Sequence, residues 1–226
     1  MKKDLNLILG FTLIFLAISP FINGFSLSTL PTDINQVEIY YWAEGAWRLS
    51  EGLAPYGGKP IDSNWLQYYL AKYGDEVEKK IPVLVVEVYH TGREGRDVAL
   101  NWNSPLDEYV NRGGLLIVRI GPAGPSYACY AGKVIFNHPE LMYVESHYTT
   151  KWIGAEPVNQ QLYNLLFQDI ELNPVQAKLI VIPEDSSKIV WIIKDRVLGV
   201  KWGEGAIIFG TGVFPLGNPK DSSTFK

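Results

Sequence analysis

This chain of 226 residues carries one cysteine, Cys129, and three histidines, His90, His138 and His147. A thiolate beside an imidazole is the smallest nucleophile–base pair for amide or ester hydrolysis. Cys129 with His138 or His147 are the candidates for that chemistry. Their spacing speaks against it. His138 follows Cys129 by nine residues, and Val134–Phe136 between them reads as a strand. Nucleophile and base must meet within about 2.6–3.2 Å, usually from separate loops. The spacing favours a structural thiol that behaves as a small hydrophobe. His138, Glu140, Glu145 and His147 also offer nitrogen and carboxylate donors of the kind that hold zinc. Their pattern, H-x-E-x4-E-x-H, matches no recurrent ligand frame, so neither a metal nor a cofactor is expected. A third group comprises Glu44, Glu87, His90 and the loop Gly121-Pro122-Ala123-Gly124-Pro125-Ser126. These stand at or near the ends of apolar segments. In an open parallel sheet, ligands bind beyond the carboxyl ends of the strands. Glu44, Glu87, His90, Gly121, Gly124 and Ser126 would line such a crevice. The loop is no phosphate cradle: it lacks Gly-Lys-Ser/Thr, and its prolines remove backbone donors.

The elements that must position these groups alternate along the chain. Residues 36–42 (QVEIYYW) are β-branched and aromatic, and predict a strand. Residues 45–60 read as a glycine-rich loop. Asp62-Ser63 caps a helix with Leu66, Tyr69, Leu70 and Tyr73 on its apolar face, and Gly74 ends it. Residues 82–89 are almost continuously apolar, the mark of a strand covered on both faces. Ser104-Pro105-Leu106-Asp107 starts a helix, with serine as N-cap, proline first and an acid third. Gly113-Gly114 stops it, and residues 115–120 follow as another buried strand. This rhythm implies right-handed parallel crossovers. Val158, Leu162, Leu165 and Leu166 mark a further helix. Residues 178–183, 188–194, 197–202 and 206–210 are closely spaced strands, with Lys194-Asp195-Arg196 as a hairpin turn. The expected class is α/β: a mainly parallel sheet with helices on both faces and antiparallel strands added near the C-terminus.

Residues 121–157 hold few clean periodic segments but many aromatics. A long insertion in a compact domain is usually functional. Tyr127, Tyr130, Tyr143, Tyr148 and Trp152 are therefore the expected surface for a protein partner, since Trp and Tyr combine large apolar area with a polar handle. Trp65, Tyr68 and Trp102 are further aromatics on expected loops and helix surfaces.

The N-terminus sets the compartment. Between Leu5 and Ile22 the only strongly polar residue is Asn6. Eighteen residues at ~1.5 Å each cover about 27 Å, close to the ~30 Å hydrocarbon core. Two readings stand: an uncut single-span anchor, or a signal peptide cut near Ile22-Asn23-Gly24. The length favours the anchor, because a secretory apolar region is usually ~7–15 residues. Lys2 and Lys3 stay cytoplasmic by the positive-inside rule. Either reading exports the rest, as a single-pass membrane protein or a secreted one. The expected organisation is 1–25 anchor or signal peptide, 26–35 linker, 36–218 one α/β domain and 219–226 polar tail. With 20 Lys+Arg against 24 Asp+Glu, the chain lacks the basic footprint of a nucleic-acid binder. One cysteine excludes an internal disulfide, and 47% hydrophobic residues exclude a disordered chain.

Two segments carry a family resemblance. Residues 103–118 (NSPLDEYVNRGGLLIV) look like the helix-start, Tyr-Val, Gly-Gly, buried-strand element of class I glutamine-amidotransferase-like domains. Residues 199–212, with Trp202-Gly203-Glu204-Gly205 before an apolar run, resemble their late Gly-x-Gly strand element. With one N-terminal span, the whole is most similar to the membrane-anchored prokaryotic family called domain of unknown function 4350. It also resembles the amidotransferase-like domains of gliding-motility transport accessory proteins. The resemblance implies an amidotransferase-like fold, export and work in a membrane complex, with no established reaction. An active amidotransferase carries Gly-x-Cys-x-Gly and a distant His-x-Glu pair. Here Tyr127-Ala128-Cys129-Tyr130-Ala131 lacks the first glycine, and His138-Pro139-Glu140 follows too soon. The leading expectation is thus a non-catalytic, exported, membrane-anchored interaction domain. The alternatives are a Cys129-dependent hydrolase and an extracytoplasmic sugar- or peptide-binding domain.

Overall fold

A computed structural model describes residues 38–43, 57–88, 99–101, 105–121, 133–138, 141–167, 172–182 and 189–211. The elements are β1 (Ile39–Trp42), β2 (Lys59–Ile61), α1 (Ser63–Tyr73), a 3-10 turn (Gly74–Glu76), α2 (Val77–Lys80), β3 (Val83–Val88), β4 (Ala99–Asn101), α3 (Pro105–Asn111), β5 (Leu115–Ile120), β6 (Lys133–His138), β7 (Leu141–Ile153), α4 (Gln160–Phe167), β8 (Val175–Ile182), β9 (Ile189–Ile193), β10 (Val197–Trp202) and β11 (Gly205–Gly210).

Seven strands form the larger sheet, in the order β2-β1-β3-β5-β11-β10-β9. β2, β1, β3, β5 and β11 run parallel, while β10 and β9 are antiparallel additions at one side. The expected α/β class holds at this level. Every residue of β3 and β5 except Glu87 and Arg119 is buried, as a sheet covered on both faces requires. Leu66 and Leu70 of α1, Val77 of α2, and Leu106, Tyr109 and Val110 of α3 join one core with Tyr40, Trp42, Leu84, Val86, Leu116 and Val118. Alternation along the strands puts these sheet residues on one face, so α1, α2 and α3 cover the same side. The fourth helix, α4, packs near β9, and its buried Leu162 lies outside the core cluster that these three share. β2 begins within the segment that reads as loop: three residues with Pro60 give too short a signal, and an edge strand tolerates the missing donor.

The caps of α1 are where local chemistry puts them, and Ser104, the expected cap of α3, lies outside the described residues. Asp62 accepts from the Trp65 amide at 2.8 Å, and Gly74 closes α1 with φ +54°. α4 starts at Gln160, capped by Asn159, whose Oδ1 accepts from the Leu162 amide at 3.0 Å. Val158, expected on the helix's apolar face, lies before the cap and is exposed.

A second sheet, β4-β6-β7-β8, occupies most of the region read as an irregular insertion. β4 and β6 are parallel; β6-β7-β8 are antiparallel. Residues 178–182, expected beside the C-terminal strands of the first sheet, belong here as part of β8. Its inner face carries Val144, Ser146, Ala177, Leu179 and Val181, and three of these join the shared core. Ser146 in the middle of an inner face breaks the alternation that would have marked β7.

The turn Lys194-Asp195-Arg196 ties the two sheets together. It joins β9 to β10 as expected, with Asp195 at φ +59°. The Leu179 amide of β8 donates to the Asp195 carbonyl at 2.6 Å, and the Lys194 amide to the Glu156 carbonyl at 2.9 Å. The fully buried Arg196 reaches the Ile153 carbonyl through Nη1 at 3.5 Å. Beside it, the Ser146 and Thr211 hydroxyls, both buried, share a 2.7 Å hydrogen bond between β7 and the end of β11.

Candidate functional site

The strand order places the topological switch between β1 and β3. The chain leaves β1 for β2 on one side, then returns to β3 on the other. A ligand crevice belongs beyond the carboxyl ends of these strands. There the Ala43 amide donates to the Ile61 carbonyl and the Gly121 amide to the Val88 carbonyl, each at 2.9 Å, so backbone pairing continues past the strands. Glu87 does not open into the crevice. It is the register partner of Arg119 on β5, and their side chains pair at 2.8 Å with only 5% and 23% exposure. A pair this deep adds little net stability, but losing one member strands the other. Glu87 is among the expected crevice residues and Arg119 is not. The signal was there: each apolar strand carries one charge, of opposite sign, at its fifth residue. Gly121 is half-buried; Glu44, His90, Gly124 and Ser126 lie outside the described residues.

The histidine–carboxylate group is spread along a hairpin. His138 ends β6 and pairs with Leu141 at the start of β7. His147 is six residues further on, or about 20 Å at ~3.3 Å per residue. The folded-back hairpin that could have gathered these groups exists, and it separates them. Among the described side chains of this group, Glu145 and His147 meet: two apart on one face, they hydrogen-bond through Oε1 and Nε2. Among the described residues no group of three or more such side chains could hold a metal ion. Cys129 and Glu140 lie outside the described residues, as do Tyr127 and Tyr130.

The two segments that carry the family resemblance touch each other. Trp202 Nε1 donates to Asp107 Oδ1 at 2.5 Å, and the Glu204 amide to the Asn111 carbonyl at 3.0 Å. Gly203 has φ +60°, and a Cβ there would lie 2.5 Å from Asn111 Cα. A Cβ on Gly205 would lie 2.3 Å from the Gly114 carbonyl oxygen, and one on Gly114 2.3–2.5 Å from the Tyr109 ring. Tyr109 itself is wholly buried and donates to the Ile81 carbonyl at 2.8 Å. The Gly-Gly and Gly-x-Gly patterns are thus a packing joint between α3, β5 and the β10–β11 turn. Gly203 and Gly205 admit backbone against backbone, and Gly114 admits the Tyr109 ring.

Of the expected partner surface, the described residues include Tyr143, Tyr148 and Trp152, all on β7. Tyr143 pairs with Ile182 and Tyr148 with Ala177, so the five-residue offset puts them on opposite faces. They are not one surface. Trp152 is different. Tyr148 pairs with Ala177 and Ile153 with Val175, so β7 advances five residues while β8 advances two. This irregularity pushes Thr149–Trp152 out of the ladder, and Trp152 is 68% exposed. A second aromatic region lies on α1, where Trp65 and Tyr68 are 58% and 49% exposed.

No family model matches this chain, and no curated protein does. One solved structure, described as a cytoplasmic protein from Salmonella typhimurium, is similar at 12% identity and a TM-score of 0.44, over 76% of this chain and 86% of that one. A likeness that distant assigns neither fold nor function.

Proposed function

We propose that this chain is a non-catalytic interaction module, held at the membrane by residues 5–22, with an exported domain that docks a protein partner. In this reading it belongs with the membrane-anchored relatives of the amidotransferase fold that residues 103–118 and 199–212 resemble. The observation that carries it is Trp152. An indole 68% exposed on a strand irregularity offers the large apolar area with one polar handle that contact hot spots use. The reading is also supported by Glu87, whose side chain is held by Arg119. The test is a photo-crosslinking amino acid at position 152 in full-length protein in its native membranes. A discrete protein adduct, absent when the crosslinker sits at exposed Glu204, is expected. No adduct at position 152 would overturn the reading. The hydrolase alternative is tested separately, by the pH dependence of Cys129 alkylation: a thiol with a pKa well below the ordinary ~8.5 would revive it.

A further inference from the structure

The outer stripe of α1 is Trp65, Tyr68 and Lys72, spaced three and four residues apart. Trp65 and Tyr68 stack edge to face with centroids 5.8 Å apart, and Tyr68 meets Tyr69 likewise at 5.9 Å. Lys72 donates to the Tyr68 hydroxyl at 3.1 Å and lies over the Tyr68 and Tyr73 rings at 5.3 and 5.2 Å. Lys80 covers Tyr73 at 5.3 Å, and Lys59 covers Tyr40 at 5.8 Å. Across its eleven residues α1 holds four aromatics, one lysine and no carboxylate. Large rings with polar edges and amines beside them are the composition of a lipid headgroup interface, and the nearest carboxylates, Asp62, Asp75 and Glu76, flank the two ends of the helix.

The position of the chain's entry supports the same occupant. The described residues begin at Glu38, whose carboxylate accepts from the Tyr40 hydroxyl at 2.7 Å and from Lys59 at 2.5 Å. Because α1 returns the chain from the carboxyl end of β2 to the amino end of β3, its Tyr73 end lies beside that entry. The sequence before Glu38 holds the apolar run 5–22 and then fifteen residues, 23–37. Fully extended, fifteen residues span at most about 50 Å. A domain tethered so closely meets the bilayer constantly, and α1 has its Tyr73 end at the tethered end of the sheet.

We propose that α1 lies on the bilayer surface, with Trp65 and Tyr68 among the lipid headgroups and Lys72 and Lys80 toward the phosphates. This rests on residues 5–22 being a membrane anchor, as proposed above. The test uses the full chain in phosphatidylcholine vesicles whose lipids are brominated near the headgroup. The contribution of Trp65 is the difference between wild type and Trp65→Phe; Trp152→Phe is the control. About a twofold quenching of the Trp65 component is expected, with none for Trp152. Retention of the chain in alkaline carbonate with an unquenched Trp65 overturns this inference alone, and a protein adduct from a crosslinker at Tyr68 would do the same. Release of the chain by carbonate overturns the anchor reading, and this inference with it.

Discussion

The two sheets solve the same problem differently. β3 and β5 lie at the centre of the larger sheet, buried on both faces, and each is apolar except for one charge that meets its opposite across the register. β7 has one face on the shared core and one face outward, where Tyr143, Glu145 and His147 sit half-buried. Yet even its inner face is not purely apolar, because Ser146 is satisfied by Thr211 from the other sheet. The difference teaches that a strand's readability depends on how many of its faces need hydrophobic cover. It also shows where each sheet is vulnerable: the larger one at a close-packed joint, the smaller one at a hydrogen bond.

The largest effect is expected at that joint. Gly114→Ala drives a methyl group into the Tyr109 ring, which is buried and held by its hydroxyl. Destabilisation of about 3 kcal/mol or more, or failure to fold, is expected in urea unfolding. The variant Gly114→Ala with Tyr109→Leu should recover part of the loss, since it removes the ring; no recovery would mean that the backbone contact with Gly205 dominates. Tyr109→Phe alone leaves the Ile81 carbonyl without that donor and should cost ~1–3 kcal/mol.

Next in size is the link between sheets. Ser146→Ala strands the buried Thr211 hydroxyl and should cost ~1–3 kcal/mol, while Ser146→Ala with Thr211→Val should be closer to wild type. If the single variant opens β6–β8 to hydrogen exchange and leaves β3 and β5 protected, the sheets unfold separately. Equal loss across both would make them one cooperative unit. Smaller still is a charge effect beneath α3. Burial holds the Glu78 carboxyl above its ordinary value, so the folded state prefers it protonated. That penalty is absent below the ordinary carboxyl pKa and grows as pH rises through and above it. Glu78→Gln should therefore match wild type in acid and unfold at higher urea near neutrality; a pH-independent difference would discard this account. The smallest effect is on β7's outer face: His147→Ala should shift stability by no more than about 0.5 kcal/mol.

Much of the larger sheet was legible in sequence. The continuous apolar runs of β3 and β5, the Asp62 and Gly74 caps, and the turn at Lys194–Arg196 each announce themselves through local chemistry. β7 was not legible, because its inner face mixes Val144, Ser146 and Tyr148 and its register slips before Ile153. The candidate site was legible as residue types only. Glu87 was visible as a carboxylate at a strand end, but its engagement with Arg119 depends on β3 and β5 being neighbours in register. The motif glycines were visible as a pattern, and their packing role needed the contact between residues more than ninety positions apart, as in Trp202 with Asp107.

The amino-acid order alone decided which segments become central strands and capped helices, and that the chain begins with an apolar run long enough to span a bilayer. These follow from short-range periodicity and side-chain polarity, which act within a few residues. The tertiary structure alone decided that His138 and His147 stand apart, that Glu87 is closed by Arg119, and that Trp65 and Trp152 remain in the open on different elements. Those outcomes depend on strand order, register and which faces find cover, and no local pattern encodes them.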